Sequence, residues 1–304
     1  MASESVASPG YMGVPFPMIQ LKNDRINASI DPLGAELKSL KLDGKEYLWQ
    51  GSPDSWNASS PQLFPIIGKA LPSGWEYEGK TFTMDNHGFA RKSVFDIVEK
   101  TEDSCLLRLK DSSETQKAFP FAFILDISYT LKGSALLVSY SVKNPESRES
   151  LFSIGAHPGF NCPLSGNTAF GDYYLEFNKE ETISRRYKDE YLSGESSPVI
   201  QSQKRLGLDH SLFDRGAIIL SGLESDRVTL KSDKSPSSVT MDFTGFPDFG
   251  IWTMAGKKAP YVCLEPWFGV DSTVGDSADF NKKEGLVRLK GKEDFSCSYS
   301  LTLT

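Results

Sequence analysis

From Met18 onward the chain alternates apolar and polar positions in short runs punctuated by turn residues, the two-residue period of strands with one buried face. Met18-Ile19-Gln20-Leu21 leads through Lys22-Asn23-Asp24 to Ile26-Asn27-Ala28-Ser29-Ile30 and the turn Asp31-Pro32-Leu33-Gly34. Ala35 to Leu42 keeps the period, Asp43-Gly44-Lys45 reads as a tight turn, and Glu46-Tyr47-Leu48-Trp49 resumes extended structure. The N-terminal region therefore predicts a meander.

Residues 51–80 break the pattern, being rich in Pro, Ser, Gly and aromatics, with Phe64-Pro65-Ile66-Ile67-Gly68-Lys69 as their one apolar stretch. A connection of that length suggests function. Alternation returns through Lys92–Glu99, Ser104–Lys110, Phe121–Leu131 and Ala135–Asn144, and only Asp111–Ala118 carries a helical signal, of a turn or two. Tyr173–Phe177, Ala217–Leu220, Arg227–Ser232, Ser238–Phe243, Phe249–Thr253, Tyr261–Glu265 and Phe295–Leu303 read as further strands. No strand–helix alternation, repeat or composition break interrupts them. The expected fold class is all-β, one large antiparallel sandwich over residues 18–304, preceded by a loose Ser/Gly/Pro-rich tail at 1–17.

Composition narrows the function. With 304 residues there is ample chain for a core, and 19 Phe and 11 Tyr suit a sheet protein. A net charge of -7 argues against a nucleic-acid partner, which needs clustered cations to displace counterions. Cys105, Cys162, Cys263 and Cys297 are too widely spaced for a zinc or disulfide framework, so reduced, mostly buried thiols are expected. The chain has neither an apolar run long enough to span a bilayer nor a signal-like start, so a cytoplasmic protein with no membrane partner is expected. No glycine-rich phosphate loop or ligand cluster implies a cofactor or a metal.

Candidate chemistry centres on Ser153-Ile154-Gly155-Ala156-His157-Pro158-Gly159-Phe160, where one of three histidines lies between glycines and a proline. Taken alone, this His could simply cap a carbonyl in a turn. Its companions are His87 in Asn86-His87-Gly88-Phe89-Ala90-Arg91 and the carboxylate of Cys263-Leu264-Glu265-Pro266-Trp267-Phe268-Gly269. Two imidazoles and a carboxylate form an acid/base set.

In this order, across nearly the whole chain, these three motifs resemble the aldose 1-epimerase (galactose mutarotase) family, and within it the LacX-like branch. The resemblance implies a galactose mutarotase-like β-supersandwich of large twisted antiparallel sheets with a sugar site in a cleft on its concave side. It implies that Glu265 is the general base at the anomeric hydroxyl, that His157 is the acid at the ring oxygen, and that His87 hydrogen-bonds the sugar. Such chemistry requires an acid and a base around the ring with pKa values near working pH.

Other positions carry less. Asp209, in Leu206-Gly207-Leu208-Asp209-His210, resembles the family's sugar-binding Asp-His-Asn stretch, although His210 fits a surface residue equally well. Lys69 stands where relatives commonly have a sugar-binding arginine, and a lysine offers a point charge in place of a fork. Arg91 serves either a carboxylate partner or the substrate. Among the aromatics Trp75, Trp252, Trp267 and Phe268, Trp267 is the better stacking candidate and Trp252 reads as core. The expected activity is anomer interconversion of a hexose, by a monomer or homodimer whose partner is the small-molecule sugar. The alternatives are a hexose-6-phosphate 1-epimerase using Lys69, Arg91 and Lys92, and a catalytically silent carbohydrate-binding protein of the same fold. A glycoside hydrolase would want a second carboxylate motif.

Overall fold

The computed structural model describes residues 17–304, so the tail expected at 1–17 lies, but for Pro17, outside the described residues. The alternating segments do form strands. Ile19–Lys22, Ile26–Asp31, Glu36–Leu42 and Lys45–Glu46 make the expected meander, a four-stranded sheet in sequential order. Ile19, Leu21, Ile26, Ala28, Ile30, Leu37, Leu40 and Leu42 turn inward from it, all buried.

A second sheet of 15 strands, antiparallel throughout, dominates the fold. At one end it runs from Gln62–Leu63 through Ile154–Ala156, Tyr261–Phe268 and Asp248–Trp252 to Ile218–Ser221, and continues to Asp96–Lys100 at the far edge. Strands far apart in sequence thus lie side by side at the site end: Gly155 pairs with both Leu63 and Trp267, Gly159 with Cys263, and Gly250 with Glu265. The largest buried cluster draws on residues from Ile19 to Leu303, with the aromatics Phe64, Phe119, Phe121, Phe123 and Phe152 packed at its centre. No helix among the described residues is long and apolar enough to cross a membrane. The helical signal at 111–118 resolves to one turn, Thr115–Ala118.

Two features depart from the sequence reading. The connection at 51–80 contains paired segments, Gln62–Leu63 in the large sheet and a small hairpin of Trp75–Tyr77 with Lys80–Phe82. The short strand read at Tyr173–Phe177 is the root of a long hairpin, Tyr174–Lys188 with Leu192–Gly207. Beyond Phe177 most of its side chains are exposed or half-buried on both faces, and its ladder shifts register four times. A strand without a buried face has no period-two signature to read.

Candidate active site

Several chain segments, among them those that carry Glu265, His157 and His87, converge on one cavity of about 360 Å³, in the range of small-molecule sites. Glu265 enters from the Tyr261–Phe268 strand and is almost wholly buried. Two strand glycines make room beside it: a methyl on Gly250 would lie 2.5 Å from the Trp267 indole, and one on Gly155 would lie at the same distance from its other side. His157 follows the Ile154–Ala156 strand, in a loop fixed by Leu264 N–H to Pro158 O and Gly159 N–H to Ser59 O. Its Nε2 stands 3.2 Å from Glu265 Oε2.

His87 arrives from the Asn86–Arg91 segment with a left-handed backbone, φ 63°, a conformation that costs about 1–2 kcal/mol in a non-glycine residue. Two contacts hold it. His87 N–H donates to Gly68 O at 2.7 Å, and Gly68 N–H donates to His87 Nδ1 at 3.1 Å. Because Nδ1 accepts, the network assigns the proton to Nε2, which makes His87 a neutral donor. Its ring lies edge-on to His157, centroids 5.8 Å apart.

Burial dominates the electrostatics. Desolvation pushes the Glu265 carboxyl well above its usual range, opposed by the charge of Lys188. It drives the His157 imidazolium down to about 3, and Arg91 and Lys188 press in the same direction. His87 is likewise held neutral by desolvation and by the neighbouring cationic side chains. Both shifts oppose charge on the pair: burial favours a protonated Glu265 and a neutral His157.

The cavity brings together Glu265, His157, His87, Arg91 and Trp267, and leaves out two expected residues. Lys69 directs its ammonium to Glu190 at the exposed rim, 2.9 Å away, while its backbone N–H donates to Asp271 Oδ1. Asp209 is exposed and caps the short helix His210–Phe213 through Ser211 N–H at 2.8 Å, while His210 stacks on Phe170. Neither lines the cavity. Lys92 pairs with exposed Asp85, also away from it.

The aromatics need a correction. Trp252, expected as core, is half-buried and lines the cavity with Trp56, their rings 5.6 Å and 4.9 Å from His157. Gly159 permits this, since a methyl there would lie 2.8 Å from the Trp56 ring. Trp267 is wedged among Leu63, Ile67, Leu192, Ile219 and Val270, with an edge on the cavity. Trp75 is fully buried and Phe268 packs on Phe246 and Phe295.

Sequence reasoning missed Trp56, Lys188 and Asp271, which also line the cavity. Asp271 lies six positions after Glu265 (271 − 265 = 6) and is buried, a carboxylate at an apolar strand end that could have been flagged. Lys188 sits in the charged run Tyr187-Lys188-Asp189-Glu190 and gave no signal. Asn86 Oδ1, Arg91 Nε, His157 Nδ1 and Trp267 Nε1 are buried without a partner. Such atoms cost about 1–3 kcal/mol each when left unpaired, and here they surround a space that a polyhydroxylated ligand would fill.

Among the described residues, His157, Cys263 and Glu265 bring ligand atoms within 4.8 Å of one another. Burial raises the Cys263 thiol far above its usual value and so holds it protonated, whereas a metal-bound sulfur is a thiolate. Cys263 instead packs with Tyr261, Trp49 and Trp56. The donor set fits a proton-transfer pair better than a cation.

The antiparallel architecture is shared with solved structures. A galactose mutarotase related enzyme from Lactobacillus acidophilus superposes with a TM-score of 0.90 at 31% identity, covering 95% of this chain and 97% of that one. A galactose mutarotase-like protein from Lactobacillus casei gives 0.87 at 32% identity, covering 95% and 100%. The fold is therefore the galactose mutarotase-like supersandwich. The family model described as Aldose 1-epimerase matches residues 17–301. Two forms of protein LacX from Lactococcus lactis, plasmid and chromosomal, are 35% identical over 297 residues, covering 94% of this chain and 99% of each relative. The chain belongs to the aldose 1-epimerase family.

Proposed function

We propose that the protein is an aldose 1-epimerase acting on an unphosphorylated hexose. The observation that carries this reading is the contact between Glu265 and His157, 3.2 Å apart and facing one cavity with His87 and Arg91. In its ionised form, Glu265 takes the proton from the anomeric hydroxyl, the O1 electrons form the carbonyl, and the C1–O5 pair leaves to accept a proton from the His157 imidazolium. Glu265 then carries the proton and His157 is neutral, which is the distribution that burial favours. Rotation about C1–C2 and the reverse steps close the ring on the other face. His87 Nε2–H and the Arg91 guanidinium supply donors to sugar oxygens, and Trp56 and Trp252 offer aromatic faces to its C–H surface.

The cations bear on the sugar's charge. Of Lys69, Arg91 and Lys92, only Arg91 lines the cavity, and the other two pair with Glu190 and Asp85. Among the described residues lining the cavity the cations are Arg91 and Lys188, and Asp271 compensates Lys188, so one uncompensated guanidinium supports a neutral sugar over a phosphorylated one. The test is the approach of fresh α-D-glucose, α-D-galactose and glucose 6-phosphate to anomeric equilibrium, followed by NMR against buffer alone. Acceleration of a free hexose is expected. Acceleration of glucose 6-phosphate alone would replace the substrate assignment, and binding without acceleration of any would favour a carbohydrate-binding protein.

A further inference from the structure

The long hairpin that the sequence concealed ends at the cavity. Lys188 and Leu192 close its tip, and Leu192 ties that tip to the Asp271 segment: Leu192 N–H donates to Ser272 O and Val274 N–H donates to Leu192 O, each at 2.8 Å. This docking sets the Lys188 ammonium against the Asp271 carboxylate, with which it forms an ion pair. Asp271 is itself clamped, its Oδ1 accepting from Lys69 N–H and Ser272 N–H at 2.8 Å each. The space it occupies exists because residue 68 is glycine, where a methyl would fall 2.0 Å from the carboxylate carbon. Both groups line the cavity beside Glu265 and His157.

Building on the epimerase reading, we propose that Lys188, pinned by Asp271, is the cavity's sugar-positioning cation and donates to a non-anomeric hydroxyl of the aldose. An ammonium carries three donors, and among the described residues only Asp271 engages it. Lys188 lines the cavity, so its remaining donors are available to a ligand there. Because Asp271 already compensates the charge, the pair as a whole is neutral, which matches a hydroxyl better than a phosphate. Burial, with Lys69 nearby, lowers the Lys188 ammonium to about 8 while Glu265 opposes that shift. Lys188 is therefore charged at neutral pH. The hairpin supplies the contact that Lys69, turned to Glu190, does not.

The test is binding of D-glucose and its 2-, 3-, 4- and 6-deoxy analogues to wild type, Lys188→Met and Lys188→Arg, measured by saturation-transfer NMR beside the anomerisation rates. Lys188→Met is expected to weaken glucose binding about tenfold while changing kcat less than about threefold, the pattern of a binding contact. Lys188→Arg is expected to recover part of the loss. One deoxy analogue should bind wild type weakly yet lose nothing further in Lys188→Met, which identifies the hydroxyl; a purely structural lysine would give no such coupling. Equal losses on every analogue, or unchanged binding in Lys188→Met, overturn the proposal. Binding coupled to Lys188 without anomerisation would sustain it while refuting the epimerase reading, and no binding of any of these sugars would refute both.

Discussion

Glu265 Oε2 and His157 Nε2 are 3.2 Å apart, too close for a sugar ring to lie between them. The ring must instead sit across the pair, with the anomeric hydroxyl and the ring oxygen, neighbours on C1, meeting one group each. Under the proposed epimerase mechanism, that geometry makes the two residues one proton-relay unit. Glu265→Gln or His157→Asn should each cost about 10²–10⁴-fold in the enzyme-dependent rate, and the double variant little more than the worse single one. NMR anomerisation rates on the three variants, corrected for buffer, decide this. Additive losses would show that the residues act separately.

The shared proton of the proposed mechanism predicts an unusual pH profile. An acid limb requires a second proton on the pair, and desolvation has moved the His157 imidazolium to about 3, below the ordinary 6.5 of histidine. The enzyme-dependent kcat/KM should therefore stay level as pH falls from 7 to 4. At high pH a decline is expected as Lys188, at about 8, loses its proton. The profile is measured by polarimetry with each buffer's own rate subtracted. An acid limb with its midpoint near 6.5 would mean that an ordinary imidazole controls the rate.

Much of this site was legible before the fold, for local reasons. Glycine and proline around His157 and Glu265 mark places where the backbone must bend or approach closely, and the structure shows that use in Gly155 and Gly250 against Trp267. The strands of the meander were legible because each buries one face. Lys188 and Asp271 were not, since their meaning depends on the hairpin tip docking on the Ser272 segment. Nor could a local pattern reveal Trp56, in the irregular connection at 51–80, as a neighbour of His157. Lys69 and Asp209 were assigned by likeness of motif, and their side chains point to Glu190 and Ser211.

That direction is testable. Lys69 meets Glu190 where both side chains are largely exposed, 43% and 65%, and such pairs contribute about 0–1 kcal/mol to stability. Lys69→Met and Asp209→Asn should leave kcat and KM within about twofold of wild type, the scale of a contact worth under half a kcal/mol. Steady-state anomerisation kinetics on both variants check this. A tenfold rise in KM for Lys69→Met would show that its side chain swings inward when sugar binds.

The seat of Trp267 depends on residue 155 having no side chain. Gly155 lies opposite Trp267 in the ladder, where a methyl would stand 2.5 Å from Trp267 Cδ1 and 2.8 Å from Pro266 O. The backbone oxygen cannot turn aside, and the indole is blocked on its other flank by Gly250, whose missing methyl would also meet it at 2.5 Å. Gly155→Ala should therefore cost about 1–3 kcal/mol of stability through overpacking, a loss of several degrees in Tm. Relief toward the cavity would move Trp267 and the neighbouring Glu265, so activity should fall in the protein that still folds. Calorimetry and anomerisation rates on the same sample separate the two effects: an unchanged Tm would mean that the strand slides enough to admit the methyl, and a lowered Tm with full activity would mean that the strain is relieved away from Glu265.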